Sequence, residues 1–289
     1  MPELPEVEVV KRSLENIIIN STIVDVKINE GNLRYKVKKS EINQIIGLKI
    51  VSIKRRSKYL LFFFNKDIVM LAHLGMTGKF FIEKNNQIKL KTSFYYNINE
   101  NKDNKHNHLI FIFKNKLKLI YNDVRKFGFI KFDLIKNIKK NSHLKILGPE
   151  PLSNFFNYIY FKDFIIDKNR TIKGLLMDQK FISGLGNIYV NEILFFSKIK
   201  PNRKVSKLNN IEIKQVIKHT KNILKRAINL GGSSIKDFSN SSGKKGSFQQ
   251  QFKVYGKKGN KCSNSDCNGV VRKIVLASRA SFFCPKCQK

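Results

Sequence analysis

Apolar positions along the first half of the chain follow two different periods. Val7, Val10, Leu14 and Ile17/Ile18 recur at helical spacing, which predicts a helix close to the N-terminus. Short runs rich in β-branched and aromatic residues come after it: TIVDVKI, LKIVSIKR, KYLLFFF, DIVMLAH, HLIFIF, KLKLIY and FGFIKF. Turn-like or charged breaks such as NEGN, NKD and KNK separate these runs, as between successive antiparallel strands. Strands at this spacing predict an antiparallel sandwich or barrel.

The pattern then changes. LIKNIKKNSHLKILGPEPLS contains the breakers Gly148, Pro149 and Pro151 and reads as a linker. Beyond it, YIYFKDFIID and IKGLLMDQKF carry helical periodicity. GLGNIYVNEILFFSK reads as a Gly-rich turn followed by a helix, with Asn187 near its N-cap. IEIKQVIKHTKNILKRAINLGG is a longer helix stopped by Gly231-Gly232. SIKDFSNSSGKKGSFQQQF has the Ser/Gly/Lys composition of a loop, and strand-like pieces fill the tail after it. The expected organisation is therefore residues 1–135, a linker over 136–150, a helical region over 151–251 and a tail over 252–289. No internal repeat is visible.

Charge adds a partner to this picture. The 289 residues carry 56 Lys+Arg against 21 Asp+Glu, a net +35, and a surface this cationic attracts polyanions. Lys/Asn/Ile-rich stretches such as KNNQIKLK and NINENKDNKHN also fit a compositional bias towards A and T, so part of the charge belongs to solvated faces. A hydrophobic content of 42% with 11% aromatics excludes a disordered chain. No apolar stretch approaches the roughly 20 residues of a membrane span. The N-terminus lacks a basic region followed by an apolar core, so no secretory signal is read and a cytoplasmic location is expected.

All four cysteines lie in the tail, as Cys262, Cys267, Cys284 and Cys287, with the spacing C-x4-C-x16-C-x2-C. Clustering of this kind argues against disulfides distributed over a secreted fold. Two close pairs supply four soft donors for tetrahedral zinc, and the segment between them is long enough for a hairpin. Four thiolates leave no open coordination position, so one structural Zn2+ is expected, holding up VVRKIVLASRASFF. Arg279 lies near the middle of that segment, within reach of an external phosphate or simply in solvent.

The opening MPELPEVEVV admits two readings. Pro5 suits the first turn of a helix, and Glu6 and Glu8 complement its dipole. That account leaves Pro2 idle. A small second residue normally permits removal of Met1, which would expose Pro2 as a secondary amine. An α-amine titrates at about 7.7–8, so a useful fraction is neutral near pH 7. Attack on a sugar C1′ by such an amine gives an iminium ion, an electron sink for elimination, and neighbouring carboxylates can move the protons. Spacing alone leaves both readings open.

The ordered set PELPEVE, RRSKYL, HLGMTG, DVRKFG, LGPEPL, GLGNIY and CPKCQK resembles the bacterial formamidopyrimidine-DNA glycosylase family, essentially from end to end. That resemblance implies an α+β multidomain fold: an N-terminal β-sandwich with an N-terminal helix, a helix–two-turns–helix domain and a C-terminal four-cysteine β-hairpin zinc finger. It implies a bifunctional glycosylase/AP lyase acting as a monomer on damaged double-stranded DNA, removing 8-oxoguanine and formamidopyrimidines. Among the matching positions, Pro2 corresponds to the nucleophile, Glu3 to the proton donor at the sugar and Glu6 to a supporting carboxylate. Lys58 corresponds to the proton donor in β-elimination and Arg279 to that in δ-elimination; on residue pattern alone Lys58 reads as a lysine on an exposed strand face. His106, Arg125 and Lys168 match DNA-contacting positions, while Lys173 and Asn187 match further backbone contacts.

A stacked base cannot be attacked, so such an enzyme extrudes the nucleotide and fills the gap. Met76, Arg125 and Phe127 match the residues that probe and fill it, although Met76 and Phe127 also read as core packing. Arg125 is set apart by its planar, multi-donor head in a chain that favours lysine. SNSSGKKGS resembles the loop that closes over the lesion, and the segment 91–107 is expanded relative to the family's pattern. Two other readings accompany this one: an endonuclease VIII-like glycosylase for oxidised pyrimidines, and a noncatalytic zinc-ribbon nucleic-acid binder. The second offers no reason for Pro2, Glu3 and Lys58 together.

Overall fold

A computed structural model describes residues 1–85, 87–91, 104–232 and 248–289. The expected lesion-capping loop, SNSSGKKGS, and most of the expanded segment 91–107 lie outside the described residues. The chain forms two compact units, Met1–Lys145 with Leu230–Gln249, and Ile146–Asn229 with Gln250–Lys289.

In the first unit the expected helix is α1, Leu4–Ile18, with Val7, Val10, Leu14 and Ile18 all buried on one face. Nine strands are described after it: β1 Ile23–Ile28, β2 Ile50–Arg56, β3 Tyr59–Phe64, β4 Ile68–His73, β5 Lys79–Lys84, β6 Gln87–Lys91, β7 Asn107–Phe113, β8 Leu117–Asn122 and β9 Phe129–Leu134. They form two antiparallel sheets, β1-β7-β8-β5-β6 and β2-β3-β4-β9. One hydrophobic core joins the inner faces of both sheets to α1, and the ring of Phe62 on β3 meets that of Phe80 on β5 with centroids 5.8 Å apart. This is the sandwich that the run of short apolar segments predicts, because each sheet must hide one face against another element. A short helix, α2 (Lys39–Asn43), lies between β1 and β2 and carries no sequence-level signal beyond buried Ile42.

One partly buried ion pair ties α1 to the second sheet. Arg55 on β2 donates from Nε to Glu8 Oε2 (2.8 Å) and from Nη1 to the carbonyl of Ser57 (3.0 Å). Arg12 holds the other oxygen of Glu8 at 3.0 Å. Burial pushes the Glu8 carboxyl up, but the guanidiniums of Arg55 and Arg12, together with Lys11, outweigh it and hold the group below the ordinary carboxylate range.

The second unit is helical, with a β-hairpin. Its helices are α3 Tyr158–Ile165, α4 Ile172–Leu176, α5 Asn187–Phe196 and α6 Asn210–Asn229. Asn157 caps α3 by accepting from Tyr160 N–H, and Thr171 caps α4 by accepting from Gly174 N–H. The helical pattern in IKGLLMDQKF ends early, at Leu176. Asp178 there accepts from Lys180 N–H and pairs with Arg170 at 2.8 Å, so its side chain supports a turn rather than another helical turn. Gln179 spans the following turn, accepting from Gly184 N–H and donating to the Leu185 carbonyl. The N-cap of α5 is Gly186, one residue before Asn187. The hairpin pairs β10 (Arg272–Leu276) with β11 (Arg279–Phe283) through the two-residue turn Ala277-Ser278, at φ +49° and +57°.

The buried carboxylate of Glu192 on α5 collects three backbone N–H groups, from Lys253 (2.8 Å), Val254 (3.0 Å) and Tyr255 (2.9 Å). Burial raises its pKa in spite of these donors.

Two stability measurements follow from these contacts. Glu8→Gln should lower stability near pH 7 by about 2–4 kcal/mol, since the partly buried Arg55 guanidinium loses the carboxylate to which it donates. The folded-state pKa of Glu8 is depressed, so the pair's contribution is present above the unfolded value of about 4.3 and is lost as pH falls through the folded value. Thermal melts of the two proteins should therefore diverge above roughly pH 5 and converge in stronger acid. Glu192→Ala leaves three donors without their acceptor and should cost about 2–4 kcal/mol in denaturant unfolding.

Candidate functional site

The start of α1 is sealed into the first unit. Pro2, Glu3 and Glu6 are buried, with Glu6 at 0% exposure, whereas Met1 is exposed. Glu3 is the N-cap residue, and its backbone N–H donates to Glu6 Oε2 at 2.9 Å. Glu6 thus satisfies a backbone donor at the helix end and complements the positive pole of the helix. Its other oxygen faces Gly232, where an added Cβ would lie 3.2 Å away. The carbonyl of Gly232 accepts from Phe248 N–H at 3.3 Å.

Lys58 sits in the two-residue turn between β2 and β3 and is only 6% exposed. The reading of an exposed strand lysine therefore fails. Ser57 before it takes φ +57°, an uncommon value for a non-glycine residue, and its carbonyl is the one held by Arg55. The chain Glu8–Arg55–Ser57 thereby links α1, which follows Pro2 and Glu3, with the turn that carries Lys58.

His73, at the end of β4, is a feature that sequence reasoning missed, although it opens the quoted HLGMTG. Burial, then the charges of Lys58, Arg34 and His143, push its pKa down to about 4. Its Nδ1 accepts from Gly75 N–H at 3.1 Å, which leaves the ring proton on Nε2.

Arg125 and Phe127 come together on the exposed DVRKFG loop. The guanidinium carbon of Arg125 lies 4.5 Å from the centroid of Phe127, a residue that is 46% exposed. Lys126 between them takes φ +53° and turns back to pair with Glu30 at 3.0 Å. An exposed aromatic at a loop tip argues against the core-packing reading of Phe127. Met76 is half-buried in HLGMTG, and His106 is half-buried in a short 3-10 turn before β7.

In the second unit, Arg279 is exposed as the first residue of β11, immediately after the hairpin turn. Lys168 lies between α3 and α4 with Nζ 4.8 Å from the Phe164 ring, and Asn187 is half-buried at the start of α5. Lys173 requires a correction. It is 1% exposed, and its Nζ donates to the Ala280 carbonyl (2.8 Å) and to Ser281 Oγ (2.6 Å). Its amine serves as an internal brace for the hairpin rather than a surface backbone contact. Asn191, unnoticed in the sequence, braces the same strand by accepting from Phe282 N–H at 2.6 Å.

Cys262, Cys267, Cys284 and Cys287 bring four sulfurs within 4.8 Å of one another, among the described residues a group able to hold a metal ion. The Sγ atoms of Cys262 and Cys287 are 3.7 Å apart, as are those of Cys267 and Cys284. A disulfide requires about 2.05 Å. Tetrahedral zinc at about 2.3 Å from each sulfur places the sulfurs about 3.8 Å apart, so these thiols are spaced as ligands. Gly269 N–H points at Cys267 Sγ (3.4 Å), and a side chain at Gly269 would strike Cys284 Sγ at 2.7 Å.

Comparison with known proteins matches residues 1–130 to the formamidopyrimidine-DNA glycosylase N-terminal domain and residues 147–239 to the formamidopyrimidine-DNA glycosylase H2TH domain. The formamidopyrimidine-DNA glycosylase of Rickettsia bellii is 39% identical over 289 residues, with both chains fully covered. That of Bradyrhizobium is 36% identical over 295 residues, again covering 100% of each chain. Wild-type Lactococcus lactis Fpg (MutM), solved in complex with a DNA containing N7-benzyl-Fapy-dG, is 34% identical and superposes with a TM-score of 0.85 over 100% of both chains. By sequence and by fold, over its whole described length, the chain belongs to the formamidopyrimidine-DNA glycosylase family.

Proposed function

We propose that the protein is a base-excision-repair DNA glycosylase with AP lyase activity, removing oxidised purines such as 8-oxoguanine and formamidopyrimidines from duplex DNA. The observation that carries this reading is the buried α1 start, where Pro2, Glu3 and Glu6 occupy one capped helix end tied through Arg55 to the Lys58 turn. Removal of Met1 converts the Pro2 nitrogen from an amide to a secondary amine. That nitrogen attacks C1′ of the damaged nucleotide; the glycosidic bond breaks with its electron pair leaving on the base, which takes up the proton that the amine gives up, and Glu3 supplies the proton that opens the sugar ring at O4′. The resulting iminium ion acidifies the C2′ protons, so loss of one of them cleaves the C3′–O bond. Lys58 protonates in this β-elimination, and Arg279 serves the following δ-elimination at C5′–O. Glu6 holds the helix end in place.

Met76, Arg125 and Phe127 enter the duplex and fill the space left by the extruded nucleotide. His106, Lys168 and Asn187 contact the DNA backbone. The net charge of +35 favours this polyanionic partner, and the Lactococcus lactis relatives were solved with DNA. The four cysteines hold one structural Zn2+, which stiffens the hairpin that presents Arg279. The protein acts as a cytoplasmic monomer. No helix among the described residues is long and apolar enough to cross a membrane.

Borohydride trapping on a duplex with 8-oxoguanine opposite cytosine should give a covalent adduct with the processed, zinc-loaded protein. Pro2→Gly, or a form that retains Met1, should lose it, with base removal slowed by at least about 100-fold. Absence of both adduct and nicking would overturn the enzyme assignment, and faster turnover of oxidised-pyrimidine duplexes would move the substrate to pyrimidines. Elemental analysis should find one zinc per chain. Cys284→Ser should lose the metal and weaken DNA binding about 10-fold at physiological salt, roughly the loss of one charge-assisted phosphate contact.

A further inference from the structure

Asp123 has no exposed surface, and the reaction outlined above makes no use of it. It opens the DVRKFG loop, and every polar atom it has is engaged. Its backbone N–H donates to the His106 carbonyl at 3.2 Å. Its own carbonyl accepts from His108 Nε2 at 2.8 Å and from Lys126 N–H at 3.3 Å. Oδ1 accepts from the Thr77 hydroxyl and from Arg125 N–H (3.3 Å), while Oδ2 accepts from Gly128 N–H (2.8 Å) and the Tyr121 hydroxyl (3.4 Å). Thr77 Oγ1 in turn accepts from Arg125 N–H at 3.0 Å, so that one N–H is shared between two anchors. Burial and then the Asp123 charge push the Tyr121 phenol well above its ordinary range, as expected beside a buried anion.

These bonds join three segments of the first unit that are distant in sequence: the turn at His106, the HLGMTG turn with Met76 and Thr77, and the loop with Arg125 and Phe127. The last two also meet backbone to backbone. A Cβ on Gly75 would collide with Gly128 N and lie 2.5 Å from the Phe127 carbonyl carbon; one on Gly128 would collide with the Tyr121 hydroxyl and lie 2.5 Å from the His73 carbonyl oxygen. Buried carboxylates that accept only neutral donors are costly to form, and this one bridges between elements rather than capping a single turn.

We infer that Asp123 and Thr77 are positioning residues that lock Met76, Arg125, Phe127 and His106 into one rigid reading head for duplex DNA. The inference rests on the DNA-probing roles proposed above. Breaking base stacking costs a few kcal/mol, and side chains can supply that only if their loop does not bend away under the load. A wedge on a yielding loop would let the base stay stacked. Rigidity matters before extrusion and ceases to matter at an abasic site, where no base remains to be unstacked.

The test uses Asp123→Asn, Thr77→Val and Thr77→Ser in the processed full-length protein. Single-turnover base removal from the 8-oxoguanine duplex should fall about 10–100-fold for Asp123→Asn and Thr77→Val, the scale of a misplacement of about 1 Å. Elimination and borohydride trapping on a preformed abasic duplex should change less than about 3-fold, and Thr77→Ser should restore base removal. Unstacking, read by 2-aminopurine beside the lesion, should slow in parallel with base removal. In the Arg125→Ala/Phe127→Ala background, Thr77→Val should add less than about 2-fold, because it acts through those residues. Equal loss on both duplexes, or full additivity in that cycle, would overturn the inference. If Asp123→Asn does not fold, as its melting shows, half-buried Thr77 carries the same comparison. Arg125→Ala/Phe127→Ala alone tests the underlying reading. No effect there removes the probing roles, whereas an effect there with none from Thr77→Val and Asp123→Asn removes only the reading head.

Discussion

Burial of α1 against the sandwich is the constraint on which the rest of the first unit depends. Its apolar face, from Val7 to Ile18, belongs to the same core as the inner residues of both sheets. That packing sets the axis of the helix, and the carboxylate of Glu6 then settles where its first residues stand. Pro2 is therefore held by a rigid element although it lies next to the chain terminus, where fraying is otherwise the rule. The Glu8–Arg55 pair extends the same control to the Lys58 turn, so two groups separated by α1, β1, α2 and β2 in sequence share one support.

Polar interactions inside both units do similar work by different means. Glu192 and Lys173 are charged groups placed where desolvation is unfavourable, and each is matched by several partners. Both act on the C-terminal part of the second unit: Glu192 holds the chain as it leads into the cysteine region, and Lys173 holds the hairpin strand that begins at Arg279. A hairpin of two five-residue strands is marginal by itself, so its position comes from α4 and α5 and from the cysteine cluster. Asp123 plays the corresponding part in the first unit, where its carboxylate holds the HLGMTG turn and the loop of Arg125, and its backbone N–H holds the turn at His106.

Much of this was legible in the residues. The 3.6-residue period of Val7, Val10, Leu14 and Ile18 marked α1, and the short apolar runs marked β1–β4 and β7–β9. Gly231-Gly232 marked the end of α6, and the spacing of Cys262, Cys267, Cys284 and Cys287 marked a metal-binding cluster. β5, in KFFIEK, and β6, in QIKLK, drew no notice, and IKGLLMDQKF looked helical over a stretch of which half is turn. Periodicity cannot register an event such as the Asp178–Arg170 pair, which makes a turn cheaper than continuing the helix.

What the sequence determined by itself was therefore local and chemical: the order of elements, the four thiols, the prolines and acids at the start, and the motifs that mark the family. Tertiary structure decided which side chains face one another. Lys58 and Lys173 look alike as letters, yet one is buried in a turn tied to α1 and the other inside a helical unit beneath a hairpin. Asp123 meets Thr77 across 46 positions, and Glu8 meets Arg55 across 47. The physical reason is that burial and pairing depend on distance in space, whereas periodicity and propensity report only on neighbours along the chain.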